Sequence, residues 1–197
     1  MVSPKNRLKI AFLTSGDARS RHLWSGTPYY MAKALEKHGA DVSYLGPVHP
    51  LRKIVGKVGN RVSQLLLKKT FDYTHSLFMA RAYARMFDHR LAGRTFDLIF
   101  APAASTEIAL LDTELPIVST SDTTFNLIHN YYPGFTGFLN VSTREGNIIE
   151  EASLRKASLV LYPTEWAARS AVADYGADPN KVQVVPYGAN LDRKSVV

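Results

Sequence analysis

Six short apolar runs punctuate this chain of 197 residues: Leu8 to Leu13, Asp41 to Leu45, Asp97 to Ala101, Leu115 to Thr120, Leu159 to Tyr162 and Val182 to Val185. Runs of that length read as strands buried on both faces of a sheet. The stretches between them carry a helical period. Met31, Ala34, Leu35 and His38 recur at that spacing, with Pro28 in the first turn, Ser25 or Thr27 as the cap and Gly39 as the stop. Val55 to Leu67 and His75 to Ala92 read as two successive helices. Ser105 to Leu111 reads as a short helix capped by Ser105. Thr123 to Asn130 and Gly146 to Ala157 flank an aromatic stretch, Tyr131 to Leu139, and Thr164 to Tyr175 closes the series. Strands alternating with helices predict a single α/β domain whose mostly parallel sheet is flanked by helices.

Composition excludes several classes. Without cysteine there is no disulfide framework, thiolate nucleophile or thiolate metal site. No apolar run approaches the eighteen or so residues that cross a bilayer. The run after the basic N-terminus is too short for a signal peptide. The expected location is therefore the cytoplasm.

The net charge of +7 is unevenly placed. Arg52 to Arg94 holds ten basic residues and two acidic ones, for +8, and the rest of the chain carries −1. Such a patch predicts either a solvated helical face or an anionic partner. No nucleic-acid-binding fold is recognisable in it, so nucleic acid is not expected.

Ligands of an open parallel sheet sit outside the carboxyl ends of its strands. That selects the loops Ser15 to Thr27, Ala101 to Thr106, Thr120 to Phe125 and Pro163 to Trp166. The first loop is long and contains Gly16, Asp17, His22 and Trp24. It ends in Ser25-Gly26-Thr27-Pro28, where glycine lets an anion approach free backbone N–H groups; a plain helix cap is the alternative. Asp122, in Ser121-Asp122-Thr123-Thr124, either orients a hydroxyl or caps the next helix. His129 lies two helical turns on and is placed to share its face. Glu150 and Glu151 read as surface partners of Arg155 or Lys156. Trp166 reads as core. There is no G-x-G-x-x-G, P-loop, G-x-S-x-G elbow or metal-ligand spacing.

In order and spacing these pieces resemble the N-terminal half of a retaining GT-B glycosyltransferase of the family 4 type. The residues that carry the resemblance are Lys9-Ile10-Ala11-Phe12-Leu13, Ser25-Gly26-Thr27-Pro28-Tyr29-Tyr30, Asp97-Leu98-Ile99-Phe100-Ala101, Leu115-Pro116-Ile117-Val118 and Asp122-Thr123-Thr124-Phe125. Glu150-Glu151-Ala152, Ala157-Ser158-Leu159-Val160 and the closing Val184-Val185-Pro186-Tyr187-Gly188-Ala189-Asn190-Leu191-Asp192 complete it.

The resemblance implies a Rossmann-like domain over residues 1–188, with an interdomain hinge beginning at 189–197 and marked by Pro186, Tyr187, Gly188 and Asn190. It implies transfer of a sugar from a nucleotide-sugar donor to an acceptor hydroxyl with retention, and no metal or other cofactor. Gly16, Asp17, Ser25, Gly26, Thr27, Thr123 and His129 are the implied donor- and acceptor-binding residues. Asp122 is the candidate catalytic residue, in place of the histidine that many relatives carry there. A nucleotide-binding domain is expected after the hinge, so the 197 residues alone are expected to be inactive. The Arg52 to Arg94 segment is expected to dock on an anionic membrane surface. A non-catalytic sugar- or anion-binding α/β module is the alternative.

Overall fold

A computed structural model describes residues 7–188. Its elements are β1 (Lys9–Phe12), α1 (Thr27–Lys37), β2 (Asp41–Tyr44), α2 (Arg52–Leu67), α3 (Leu77–Leu91), β3 (Leu98–Pro102), α4 (Ser105–Ile108), β4 (Ile117–Thr120), α5 (Phe125–Ile128), α6 (Asn140–Lys156), β5 (Leu159–Tyr162), α7 (Glu165–Tyr175) and β6 (Val182–Val184). The strands form one sheet in the order β2-β1-β3-β4-β5-β6, and every neighbouring pair is parallel. This is the Rossmann-like α/β fold that the alternation predicts.

The central strands β1, β3 and β5 are mostly apolar because helices cover both faces of the sheet there, whereas the edge strands β2 and β6 carry Asp41, Ser43 and Gln183 and are partly exposed. Side chains alternate across the sheet. Ala11, Leu13, Ile99 and Ala101 join a core with Met79, Tyr83 and Phe87 of α3. Phe12 and Phe100 point the other way, stack on each other with centroids 5.4 Å apart, and pack with Ala32, Met31 and Leu35 of α1. Beyond β4, Val160 and Tyr162 pack on Ala167, Ala168 and Ala171 of α7.

Several helix starts differ from the sequence expectation. Neither Ser25 nor Thr27 caps α1: Gly26 holds the cap position at φ 81°, after Trp24 and Ser25 at φ 44° and 53°, and no side chain bonds the helix start. Ala104, not Ser105, precedes α4. Asp122 does not cap α5. The Ser121 hydroxyl donates to the Thr123 carbonyl at 2.8 Å, and that local turn moves the helix start to Phe125 with Thr124 at the cap position. α2 begins at Arg52, and α3 begins at Leu77 with Ser76 accepting from the Met79 amide. α6 begins six residues before Gly146, because the buried Ser142 hydroxyl accepts from the Asp72 amide and fixes an extra turn. Trp166 lies off the Ala167-Ala168-Ser170-Ala171 stripe of α7 and is exposed.

Gly146 sits where α6 crosses α5. A Cβ there would lie 2.2 Å from Cζ of Phe125, whose ring is itself buried. Gly146→Ala is therefore expected to lower stability by about 1–3 kcal/mol in urea unfolding. Gly134→Ala, with open space around its Cβ, should leave the midpoint in place.

Candidate functional site

The carboxyl ends of β3, β4 and β5 open into a cavity of about 400 Å³. The turns after β3 and β4 build its rim. After β3, Ala103 takes φ 46° while its amide donates to the Thr120 carbonyl at 2.8 Å, which ties the β3 and β4 loops together. After β4, Asp122 and Thr123 face the cavity. After β5, Thr164 accepts from the Ala167 amide at 3.2 Å and starts α7. Trp24 forms part of the wall, and its ring stands edge-on to Tyr187 at 6.0 Å.

Two titratable residues not selected from the sequence occupy the depths. Glu150 belongs to the buried stripe of α6 with Gly146, Ile149, Ser153 and Leu154, so it is not the surface partner expected of it. Only Glu151 pairs outward, 3.8 Å from Arg155. Burial raises the Glu150 carboxyl to about 7, against the opposing effects of His75 and a hydrogen bond with Ser105. His75 is the second residue. Its Nδ1 lies 2.7 Å from Oδ2 of Asp72, and that carboxylate also accepts from the Thr74 hydroxyl and backbone amide. Burial pulls the His75 imidazole down. The bond and charge of Asp72, with the charges of Glu150 and Glu107, outweigh it and leave the ring above its ordinary value. Burial pushes the Asp72 carboxyl up, and His75 and Thr74 more than reverse it. With Nδ1 held by Asp72, Nε2 is the nitrogen left to meet a ligand.

His75 also lines a smaller cavity of about 180 Å³ beside β1 and β3, with Ser15, Tyr83 and Glu107. Glu107 is buried there, which raises its carboxyl despite a hydrogen bond with Ser15. His75 thus stands between the two cavities.

Charge and chemistry define what the main cavity takes. Asp122 is exposed, and its carboxylate makes no side-chain hydrogen bond among the described residues. No lysine or arginine among the described residues lines the cavity. Carboxyls, serine and threonine hydroxyls, an imidazole and an indole remain. That set binds hydroxyl-rich or cationic groups and lacks the cations that hold phosphate.

The family model described as Glycosyltransferase Family 4 matches residues 27–193. The chain belongs to glycosyltransferase family 4. A search of curated proteins gives no significant match. The matched region begins at Thr27, so β1 and the long loop precede it.

Within this family 4 domain the sequence-selected residues separate into groups. Asp122 and Thr123 line the main cavity. Thr27 meets Pro186, Tyr187 and Gly188, the residues expected to mark a hinge, around a neighbouring pocket. The Tyr187 hydroxyl lies 2.8 Å from the Thr120 hydroxyl, which fastens Tyr187 to β4. Asn190 lies outside the described residues. Gly16 and Asp17 stand back from both pockets. Asp17 accepts from the Arg19 amide at 3.0 Å, and a Cβ on Gly16 would strike the Leu23 side chain. These two shape the loop.

His129 does not share the Asp122 cavity. It ends the four-residue α5, stacks on Phe125 at 6.0 Å and lies 3.1 Å from the Thr143 hydroxyl beside a different pocket. His22 shows no link to either site.

Folding holds Glu150 protonated up to about 7, whereas an unfolded chain ionises it near 4.5. This contribution to stability is complete below 4.5 and is lost as pH rises through 7. Relative to Glu150→Gln, the parent should lose about 3 kcal/mol across that window, measured by urea unfolding at a series of pH values. Parallel pH profiles for the two proteins would contradict the burial of this carboxyl.

Proposed function

We propose that this family 4 domain forms the acceptor side of a retaining glycosyltransferase that uses a nucleotide-sugar donor. The observation that carries the reading is the pairing of one open carboxylate, Asp122, with one buried carboxyl, Glu150, in a cavity lined by no lysine or arginine among the described residues, at the carboxyl edge of the sheet. Carboxyls and hydroxyls match the donors and acceptors of sugar hydroxyls, and the Trp24 indole offers an apolar face to a ring.

Asp122 orients the acceptor hydroxyl. Glu150, near half-protonation at neutral pH, both donates to and accepts from a neighbouring hydroxyl. His75, oriented by Asp72, adds a donor or acceptor at Nε2. In the transfer, the bond from the anomeric carbon to the diphosphate breaks and a bond to the acceptor oxygen forms on the same face. The bonding pair and the acceptor proton leave with the nucleoside diphosphate.

The diphosphate itself belongs outside this cavity, where no cation awaits it. The start of α1 suits it better, because no side chain caps that helix. Ser25, Gly26 and Thr27 are the residues assigned to it. Tyr187, held between Trp24 and Thr120, is assigned to the hinge. The absence of cysteine suits the cytoplasm.

The test is an assay of the protein purified from its source cells against a panel of nucleotide sugars. Nucleoside diphosphate release gives the rate, and proton NMR of the product gives its anomeric configuration. Asp122→Asn should lower kcat about a hundredfold, the scale of a misplaced reacting group, without changing the thermal melt. Trp166→Phe, away from the site, should leave it unchanged. Undiminished turnover in Asp122→Asn would remove Asp122 from the site, and an inverted product would contradict retention.

A further inference from the structure

Surface helices normally turn their apolar stripe toward the core. α2 does the reverse. Its inner side is small and polar: a Cβ on Gly56 would lie 2.5 Å from the Tyr73 ring, Asn60 accepts from the Phe71 amide at 3.0 Å, and the Ser63 hydroxyl donates to the Lys69 carbonyl at 2.8 Å. Its outer side carries Ile54, Val55, Val58, Val62, Leu65 and Leu66, following Leu51. Their exposures run from 47% at Val62 to 82% at Leu51. Positions 51, 54, 55, 58, 62, 65 and 66 recur at the helical period, so these side chains form one continuous stripe. A contiguous exposed apolar stripe of this kind marks an interaction surface.

The charges on the same helix identify the partner. Residues 52–69 contain six lysines and arginines and no acid. Lys57 and Arg61 form a row beside the apolar stripe at helical spacing, and both are exposed. Lys53 lies toward the inner side, where it lines the smaller cavity with Glu107, and Arg52 donates to the Phe78 carbonyl at 3.2 Å. On α3 and its end, Arg81 and Arg85 are exposed, whereas Arg90 and Arg94 are engaged by the fold. Arg90 donates to the Leu45 carbonyl, and the Arg94 guanidinium lies 4.7 Å over the Phe96 ring. The anionic contact expected of the whole Arg52 to Arg94 segment is placed on α2 and its C-terminal lysines, because α2 carries exposed large apolar side chains and α3 does not. Two copies of this face would bring like charges together, which disfavours self-association.

We infer that α2 is an interfacial helix that lies on an anionic lipid surface and inserts its apolar stripe below the headgroups. An outward apolar stripe flanked by lysine and arginine without acids is the pattern of such helices. At 16 residues α2 spans about 24 Å. No helix among the described residues is long and apolar enough to cross a membrane, so the contact is peripheral. Because the stripe inserts, binding depends on apolar side chains as well as on charge. The inference stands apart from glycosyl transfer, and its test needs no turnover.

The test is flotation of the full chain with vesicles of phosphatidylcholine alone or mixed with phosphatidylglycerol, at low and high salt. The protein should float with the mixed vesicles and far less with the neutral ones. Leu65→Ser/Leu66→Ser should weaken partitioning by about tenfold or more, the scale of two exposed leucines no longer buried. Lys57→Glu/Arg61→Glu should abolish the difference between the two vesicle types. All four side chains are exposed, so both variants should melt with the parent. Failure to float, equal flotation on both vesicle types, or binding unaffected by the leucine substitutions overturns the inference. So does a dimer, seen by light scattering, that the leucine substitutions dissociate, because it assigns the stripe to a second copy.

Discussion

Parallel pairing of all six strands sends every carboxyl end to one edge of the sheet, and the site depends on that direction. Helices return across both faces and bury much of the central strands, whereas the edge strands β2 and β6 stay partly exposed. The carboxyl ends carry the polar loops. The Ala103 amide bonded to the Thr120 carbonyl, and the Tyr187 hydroxyl bonded to that of Thr120, show how closely those loops are tied to the edge. A register slip in β4 would move Asp122 and Thr123 away from the α6 stripe that presents Glu150.

Electrostatics inside the edge follow from burial. Glu150 and Glu107 are both removed from water, and both carboxyls rise. His75 stands between their two cavities and rises as well, because Asp72 and the two glutamates favour its cation. The buried carboxyls thus contrast with Asp122, which is exposed at the rim. Lysine and arginine lie elsewhere than the main cavity, six of them between residues 52 and 69.

The fold was legible because strands buried on both faces become short continuous apolar runs, as at Lys9–Phe12 and Leu159–Tyr162. Helix boundaries were less legible where tertiary contacts set them. The polar start of α6 exists because Ser142 meets the Asp72 amide, a partner 70 residues away. Asp122 and Thr123 could be selected by position alone, since they follow a strand. Glu150 was read as half of a surface pair because Glu151 and Arg155 stand beside it. The stripe Gly146, Ile149, Glu150, Ser153 would have revealed its burial had the helix been traced from Asn140. His75 had no local signal. Its role arises from the break between α2 and α3 folding against loops far along the chain. The apolar face of α2 was hidden for a different reason: helical periodicity alone does not say which side meets the core.

The central claim is that sugar hydroxyls are received between Asp122, Glu150 and the Trp24 wall. The chain has two tryptophans, so Trp166→Phe leaves Trp24 as a single fluorescent reporter in the cavity. The most direct measurement is titration of that variant with methyl glycosides and nucleotide sugars while following Trp24 emission. The account predicts a saturable change with at least one of them, lost when Asp122→Asn is added. A Trp24 signal that no sugar alters, or one that Asp122→Asn leaves intact, would contradict it.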